Sequence, residues 1–104
     1  MPAFQDTLSR LPESVQRVVE EVVKRVMPSQ IILFGSRARG DHRDNSDFDL
    51  ALKGRSCSDD QWNRLLVDLR DEPLTLYSID LVESELLSED YLANIKSDGR
   101  QLYG

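Results

Sequence analysis

At 104 residues, with 39% hydrophobic and 31% charged side chains, the chain has the size and balance of one globular domain, residues 1–104, built on a single core. Lys and Arg number 13 against 19 Asp and Glu, and the resulting charge of −6 excludes a protein whose main work is stable binding of long nucleic acid, which needs a basic surface. No apolar run approaches the roughly 18 residues of a membrane span, and the N-terminal MPAFQDTLSR lacks the basic start and apolar stretch of a signal peptide, so a cytoplasmic location is expected.

Between Pro12 and Pro28, six valines (Val15, Val18, Val19, Val22, Val23 and Val26) recur at helical spacing. Glu13 near the start and Lys24 and Arg25 near the end suit the helix dipole. Valine is a modest helix former, so this helix is expected to depend on packing against a sheet. Gln30-Ile31-Ile32-Leu33-Phe34 is an unbroken apolar run ending at Gly35, which predicts a central strand covered on both faces. Asp47 to Leu52 alternates with period two and stops at Lys53-Gly54, predicting a second strand.

Cys57 follows in a polar loop, and a single cysteine with a single histidine forms neither an internal disulfide nor a structural zinc site. Ser58 and Gln61 have capping-box spacing, and Trp62, Leu65, Leu66 and Leu69 make the apolar face of a helix that Pro73 ends. Thr75 to Val82 reads as a third strand. A short helix from about Ser88 uses Tyr91, Leu92 and Ile95, with Gly99 at its C-terminal turn, and Gln101 to Tyr103 returns as a brief edge strand. The order is that of an α/β fold with a small sheet and packed helices.

The chemistry-bearing stretch is GSRARGDHRDNSDFD, Gly35 to Asp49. Residues i and i+2 of a strand share a face, so Asp47 and Asp49 stand side by side while Phe48 and Leu50 point into the core. Asp80, between Ile79 and Leu81, can face the same way if its strand is a neighbour. Clustered carboxylates call for positive charge, and Mg²⁺, which takes oxygen ligands and completes its shell with water and phosphate, is the expected compensation. Gly35-Ser36 lies where a strand turns sharply, offering backbone amides and a hydroxyl to an anion. Arg37, Arg39 and Arg43 are placed to add charge-assisted bonds to phosphate. Taken singly each piece has an ordinary explanation, and Asp41, His42 and Asp44 read as exposed loop. Together they predict two-metal phosphoryl or nucleotidyl transfer.

At these residues the chain resembles the nucleotidyltransferase superfamily related to DNA polymerase β. The signature is Gly-Ser, ten residues, then Asp-x-Asp, and here Gly35-Ser36 and Asp47-Phe48-Asp49 are separated by residues 37–46. The closing IKSDGRQLY also resembles the end of the minimal nucleotidyltransferases, the antitoxins of HEPN/MNT toxin–antitoxin systems. The resemblance implies a small mixed β-sheet flanked by helices, the palm-like fold of that superfamily. It further implies two Mg²⁺ ions held by Asp47, Asp49 and Asp80, with Asp80 helping to deprotonate the acceptor. Gly35 and Ser36 would bind the phosphates of ATP, with Arg37 and Arg39 nearby. The implied reaction is transfer of AMP from Mg-ATP to a tyrosine hydroxyl of a HEPN-domain ribonuclease toxin bound as a hetero-oligomer. Two alternatives stand beside it: a binding module that silences the HEPN partner by covering its active site, and transfer to a small molecule of the aminoglycoside kind.

Overall fold

A computed structural model describes residues 2–104. After a 3-10 turn at Asp6–Arg10 come α1 (Glu13–Val26), β1 (Gln30–Phe34), the single turn α2 (Ser36–Arg39), β2 (Phe48–Lys53) and α3 (Asp59–Asp71). β3 (Ile79–Glu83), a 3-10 turn at Ser84–Leu86, α4 (Glu89–Asp98) and β4 (Arg100–Tyr103) complete the chain. The sheet is mixed, in the order β3-β2-β1-β4. β1 runs antiparallel to both β2 and β4, whereas β2 and β3 are parallel and joined through α3. This is the expected small mixed sheet with flanking helices. Among the described residues no helix is long and apolar enough to cross a membrane.

The main core lies on one face of the sheet. The valine stripe of α1 and Trp62 and Leu65 of α3 pack there on Ile31, Leu33, Phe48, Leu50 and Leu52. Each such side chain, fully buried, contributes on the order of 1.5–3 kcal/mol. A smaller cluster on the opposite face joins Phe34, Ala51 and Ile95 of α4. The period-two alternation of β2 therefore separates Phe48, Leu50 and Leu52 from Asp49 and Ala51.

Local signals account for the helix boundaries. Pro12 caps α1, and Met27, in the left-handed conformation at φ 48°, closes it before the buried Pro28. Ser58 accepts a bond from the Gln61 amide at 3.2 Å while the Gln61 side chain accepts from the Ser58 amide at 2.9 Å, the expected capping box. Gly99 ends α4 in extended rather than left-handed backbone; a Cβ there would lie 2.2 Å from the Ile95 carbonyl oxygen, so the glycine is required by close packing.

The third strand is shorter than its apolar run predicts. Residues 75–78 form a turn in which the Thr75 hydroxyl accepts from the Tyr77 amide at 3.2 Å and pairs with Ser14 at 2.7 Å. Leu76 projects wholly into solvent, so an apolar residue there does not signal a strand. The N-terminal segment also departs from a featureless start. Phe4 bridges Tyr103, and the amide of Gln5 donates to the Leu102 carbonyl at 2.9 Å, so the chain's own beginning covers the outer edge of β4.

Leu65 is fully buried and its neighbour Leu66 is about a third exposed. Leu65→Ala is expected to cost about 2–5 kcal/mol, and Leu66→Ala less than half as much; urea unfolding of the two variants measures the difference.

Candidate functional site

The end of β1 and the starts of β2 and β3 bring the sequence's chemical residues to one face of the sheet. Gly35 carries the chain out of β1 at φ 74°, ψ −157°, a conformation open essentially to glycine alone. A Cβ on Gly35 would lie 2.3 Å from Oδ2 of Asp49, so the carboxylate occupies the space that any side chain would need. The contact follows from register: Phe34 is opposite Asp49 in the antiparallel β1–β2 pair.

Asp49 is also opposite Asp80 in the parallel β2–β3 pair, and cross-strand partners present their side chains to the same face. Asp47 precedes the first residue of β2, two positions from Asp49. Asp47 and Asp80 are exposed and Asp49 is half-buried. Partial burial raises the pKa of Asp49 above the ordinary 3.8, and the charges of Asp80 and then Asp47 raise it further, while Arg39 opposes them. Asp49 and Asp80 thus share one face, and Asp49 is within electrostatic reach of both Asp80 and Asp47. Among the described residues, however, no group of three acidic, His or Cys side chains is already gathered as a ligand set. The aspartates' oxygen donors are of the kind that Mg²⁺ takes, and its charge would offset their mutual repulsion.

Ser36 begins α2, half-buried, and as at every helix start the first amides have no intrahelical acceptor. The arginines behave differently from one another. Arg37 turns into the 40–46 loop, where its Nη2 donates to the carbonyls of Asp44 at 3.0 Å and Ser46 at 3.1 Å, and its Nε donates to Ser46 at 3.2 Å. Its guanidinium lies 4.3 Å from the ring centroid of Phe48 and 5.4 Å from that of Tyr77. Its geometry is that of a loop brace rather than a free phosphate donor. Arg39 remains at the surface beside the acidic cluster, paired with Asp41 at 3.1 Å and Asp98 at 3.8 Å. His42 is exposed, as the loop reading predicts, and Arg43, grouped by the sequence with the phosphate donors, is exposed in the same loop.

Sequence reasoning missed the partners that organise this face. Phe48 and Tyr77 cage Arg37, Asp98 at the end of α4 reaches Arg39, and Arg100 donates to the Ala38 carbonyl at 2.9 Å. These contacts join α2 to β4 and the β2–β3 end of the sheet. Nothing in linear spacing signals them, because each depends on strand order.

The family model "Polymerase beta, Nucleotidyltransferase" matches residues 16–104, which contain the Gly-Ser turn, the Asp-x-Asp strand and Asp80. No curated protein is significantly similar in sequence. Among solved structures, a toxin–antitoxin with AMP-PNP superposes with a TM-score of 0.59 at 23% identity, covering 88% of this chain and 72% of the other. A mutant of the toxin–antitoxin MntA-HpeT gives 0.61 at 23% identity, with 91% and 74% covered. A Sulfolobus solfataricus protein described as a nucleotidyltransferase gives 0.54 at 19% identity, with 92% and 82% covered. At such identities the likeness is one of fold. The strand register that aligns Gly35, Asp49 and Asp80, and the family match over most of the sequence, lead to one assignment: the chain belongs to the polymerase β nucleotidyltransferase family.

Proposed function

We propose that this chain is an antitoxin that uses Mg-ATP to transfer AMP to a tyrosine hydroxyl of a HEPN-domain ribonuclease toxin. The observation that carries the reading is the juxtaposition of Asp49 with Gly35 on one side and Asp80 on the other. It supports the reading because the backbone of the Gly35 turn lies directly against one of the acids. The likeness in fold to toxin–antitoxin structures, one of them with AMP-PNP, supports the choice of nucleotide and of partner class.

In this reading Asp47, Asp49 and Asp80 would hold a pair of Mg²⁺ ions. Bound there, the ions would supply charge neutralisation for the triphosphate. The Gly35–Ser36 turn holds the outer phosphates through backbone amides and the Ser36 hydroxyl. Arg39, the surface arginine beside the cluster, adds a charged donor. Asp80 stands at the edge of the cluster, where it orients the acceptor hydroxyl and takes its proton. The tyrosine oxygen forms a bond to the α-phosphorus as the bond from that phosphorus to the bridging oxygen breaks, and pyrophosphate leaves. Arg37 serves by bracing the loop that delivers Asp47, through Ser46 and Phe48.

Incubating the chain with its genomically adjacent partner and Mg-ATP is expected to add the mass of AMP to a tyrosine of that partner and to suppress its ribonuclease activity. The Asp47→Ala, Asp49→Ala double variant abolishes both effects. If that variant still silences the partner, covering rather than transfer is the mechanism.

Gly35→Ala forces a Cβ into Asp49 Oδ2 at a strained φ. Displacement of the order of 1 Å at a reacting site costs about a hundredfold, so kcat is expected to fall by about that factor while far-UV circular dichroism stays unchanged.

The raised pKa of Asp49 means that the folded chain binds a proton more readily than the unfolded chain. Stability therefore falls as pH rises from 3.8 through the folded value, and above that window the ionised carboxylate is a standing penalty. In metal-free buffer at neutral pH, Asp49→Asn is expected to melt at a higher temperature than the wild type, with the difference disappearing below the window. Added Mg²⁺ raises the wild-type melting temperature and reverses the order, which differential scanning calorimetry will show.

A further inference from the structure

The three aspartates of the candidate site are not held equally. Asp49 lies in both the β1–β2 and β2–β3 ladders and Asp80 in the β2–β3 ladder, so backbone pairing fixes the two of them. Asp47 precedes β2, and among the described residues it pairs with no strand. It follows a loop that is exposed from Gly40 to Asn45. Loops are more mobile than the elements they join, so a carboxylate at the end of one keeps its position only if the residues on either side of it are held.

Both sides are held, and by one group of side chains. On the strand side the amide of Phe48 donates to the Ser78 carbonyl at 2.9 Å, and the Phe48 ring is buried. On the loop side the Ser46 carbonyl accepts from Nε of Arg37 at 3.2 Å and from its Nη2 at 3.1 Å, and the Asp44 carbonyl accepts from the same Nη2 at 3.0 Å. Ser46 in turn closes the loop on itself, its Oγ accepting from the Arg43 amide at 2.9 Å. The position of Asp47 therefore follows that of the Arg37 guanidinium.

Tyr77 is where these supports meet. Its ring packs edge-on against Phe48, with centroids 5.3 Å apart and planes at 86°. The guanidinium carbon of Arg37 lies 5.4 Å from the Tyr77 centroid and 4.3 Å from that of Phe48, both within the roughly 6 Å at which a ring attracts a cation. With two rings beside it, the guanidinium has fewer directions in which to leave its carbonyl partners. Tyr77 is itself anchored, because its amide donates to the Thr75 hydroxyl at 3.2 Å and that hydroxyl pairs with Ser14 of α1 at 2.7 Å. It also adjoins Ser78, which accepts from Phe48, and stands three residues before Asp80. Both contacts that Tyr77 makes with this group are made by its ring rather than its hydroxyl.

We propose that Tyr77 is a positioning residue of the metal site: its ring, acting through Arg37 and Phe48, fixes the loop end that presents Asp47 to Asp49 and Asp80. This rests on the proposed binding of Mg-ATP by the three aspartates and adds the side chain that sets their spacing. The aromatic ring is what the contacts require, and the hydroxyl is dispensable.

The test reads metal binding directly, with Mn²⁺ in place of Mg²⁺, by electron paramagnetic resonance of the full chain in the presence of a nonhydrolysable ATP analogue. The wild type is expected to bind Mn²⁺ in an Asp49-dependent manner. Tyr77→Leu keeps the apolar bulk but removes the ring, and is expected to weaken Mn²⁺ binding about tenfold, the scale at which groups that orient metal ligands act. Arg37→Met is expected to show a similar loss, and Tyr77→Leu added to it little more, since two residues on one path do not act additively. Tyr77→Phe retains the wild-type affinity. Ile31→Val, buried at the far end of β1, lowers the melting temperature but leaves Mn²⁺ affinity unchanged, which separates positioning from a general loss of stability. Wild-type affinity in Tyr77→Leu or in Arg37→Met overturns the proposal, as do an equal loss in Tyr77→Phe or in Ile31→Val and multiplied losses in the double variant. In each of those cases Asp49-dependent binding by the wild type leaves the nucleotidyl-transfer reading standing. Failure of Asp49-dependent Mn²⁺ binding in the wild type removes both.

Discussion

The contact between the Gly35 backbone and the Asp49 carboxylate is the constraint on which this face of the molecule turns. A strand that ends in a residue with no side chain allows its neighbour's acid to lie flat against the turn, with Oδ2 where a Cβ would be. The same acid is held beside Asp80 by parallel pairing and near Asp47 by its own strand, and its pKa is raised first by partial burial and then by those neighbouring charges. An arrangement that tends to expel its own charge is costly unless something positive arrives. A bound cation would offset that cost.

The remainder of the fold serves to keep that unfavourable cluster in place. α1 and α3 bury their apolar faces on one side of the sheet, so the stability of the domain comes from a layer in which the acids take no part. α4 covers only part of the second face, through Ile95, and leaves the carboxylate end accessible. Arg37 connects the two requirements. Its guanidinium satisfies loop carbonyls and stacks on Phe48 and Tyr77, tying the loop before Asp47 to the turn before Asp80. A charged side chain that sequence places among phosphate ligands is thereby engaged as scaffold, while Arg39, two residues on and at the surface, stays beside the cluster.

The asymmetry of the sheet edges carries a similar division of labour. Residues 3–5 close the β4 edge, as proteins commonly do to avoid unintended pairing. Among the described residues the β3 edge, which bears Asp80, pairs with no further strand and lies beside a partly apolar cavity.

Much of this was legible from the order of residues alone. Apolar periodicity located α1, α3, α4 and the four strands, the Ser58–Gln61 box marked the start of α3, and the spacing from Gly35-Ser36 to Asp47-Phe48-Asp49 singled out the candidate site. Those features are local, set by chain geometry within a few residues or by a fixed spacer. Sequence misjudged Thr75 to Ser78, where hydroxyl bonds of Thr75 favour a turn over the extended run that its neighbours suggest. It also could not say that Asp80 stands opposite Asp49, that Arg37 lies between two rings, or that one sheet edge is closed and the other open. Each of these depends on which strands become neighbours and in what register, a choice made by burial of the whole core, and only the tertiary structure expresses it.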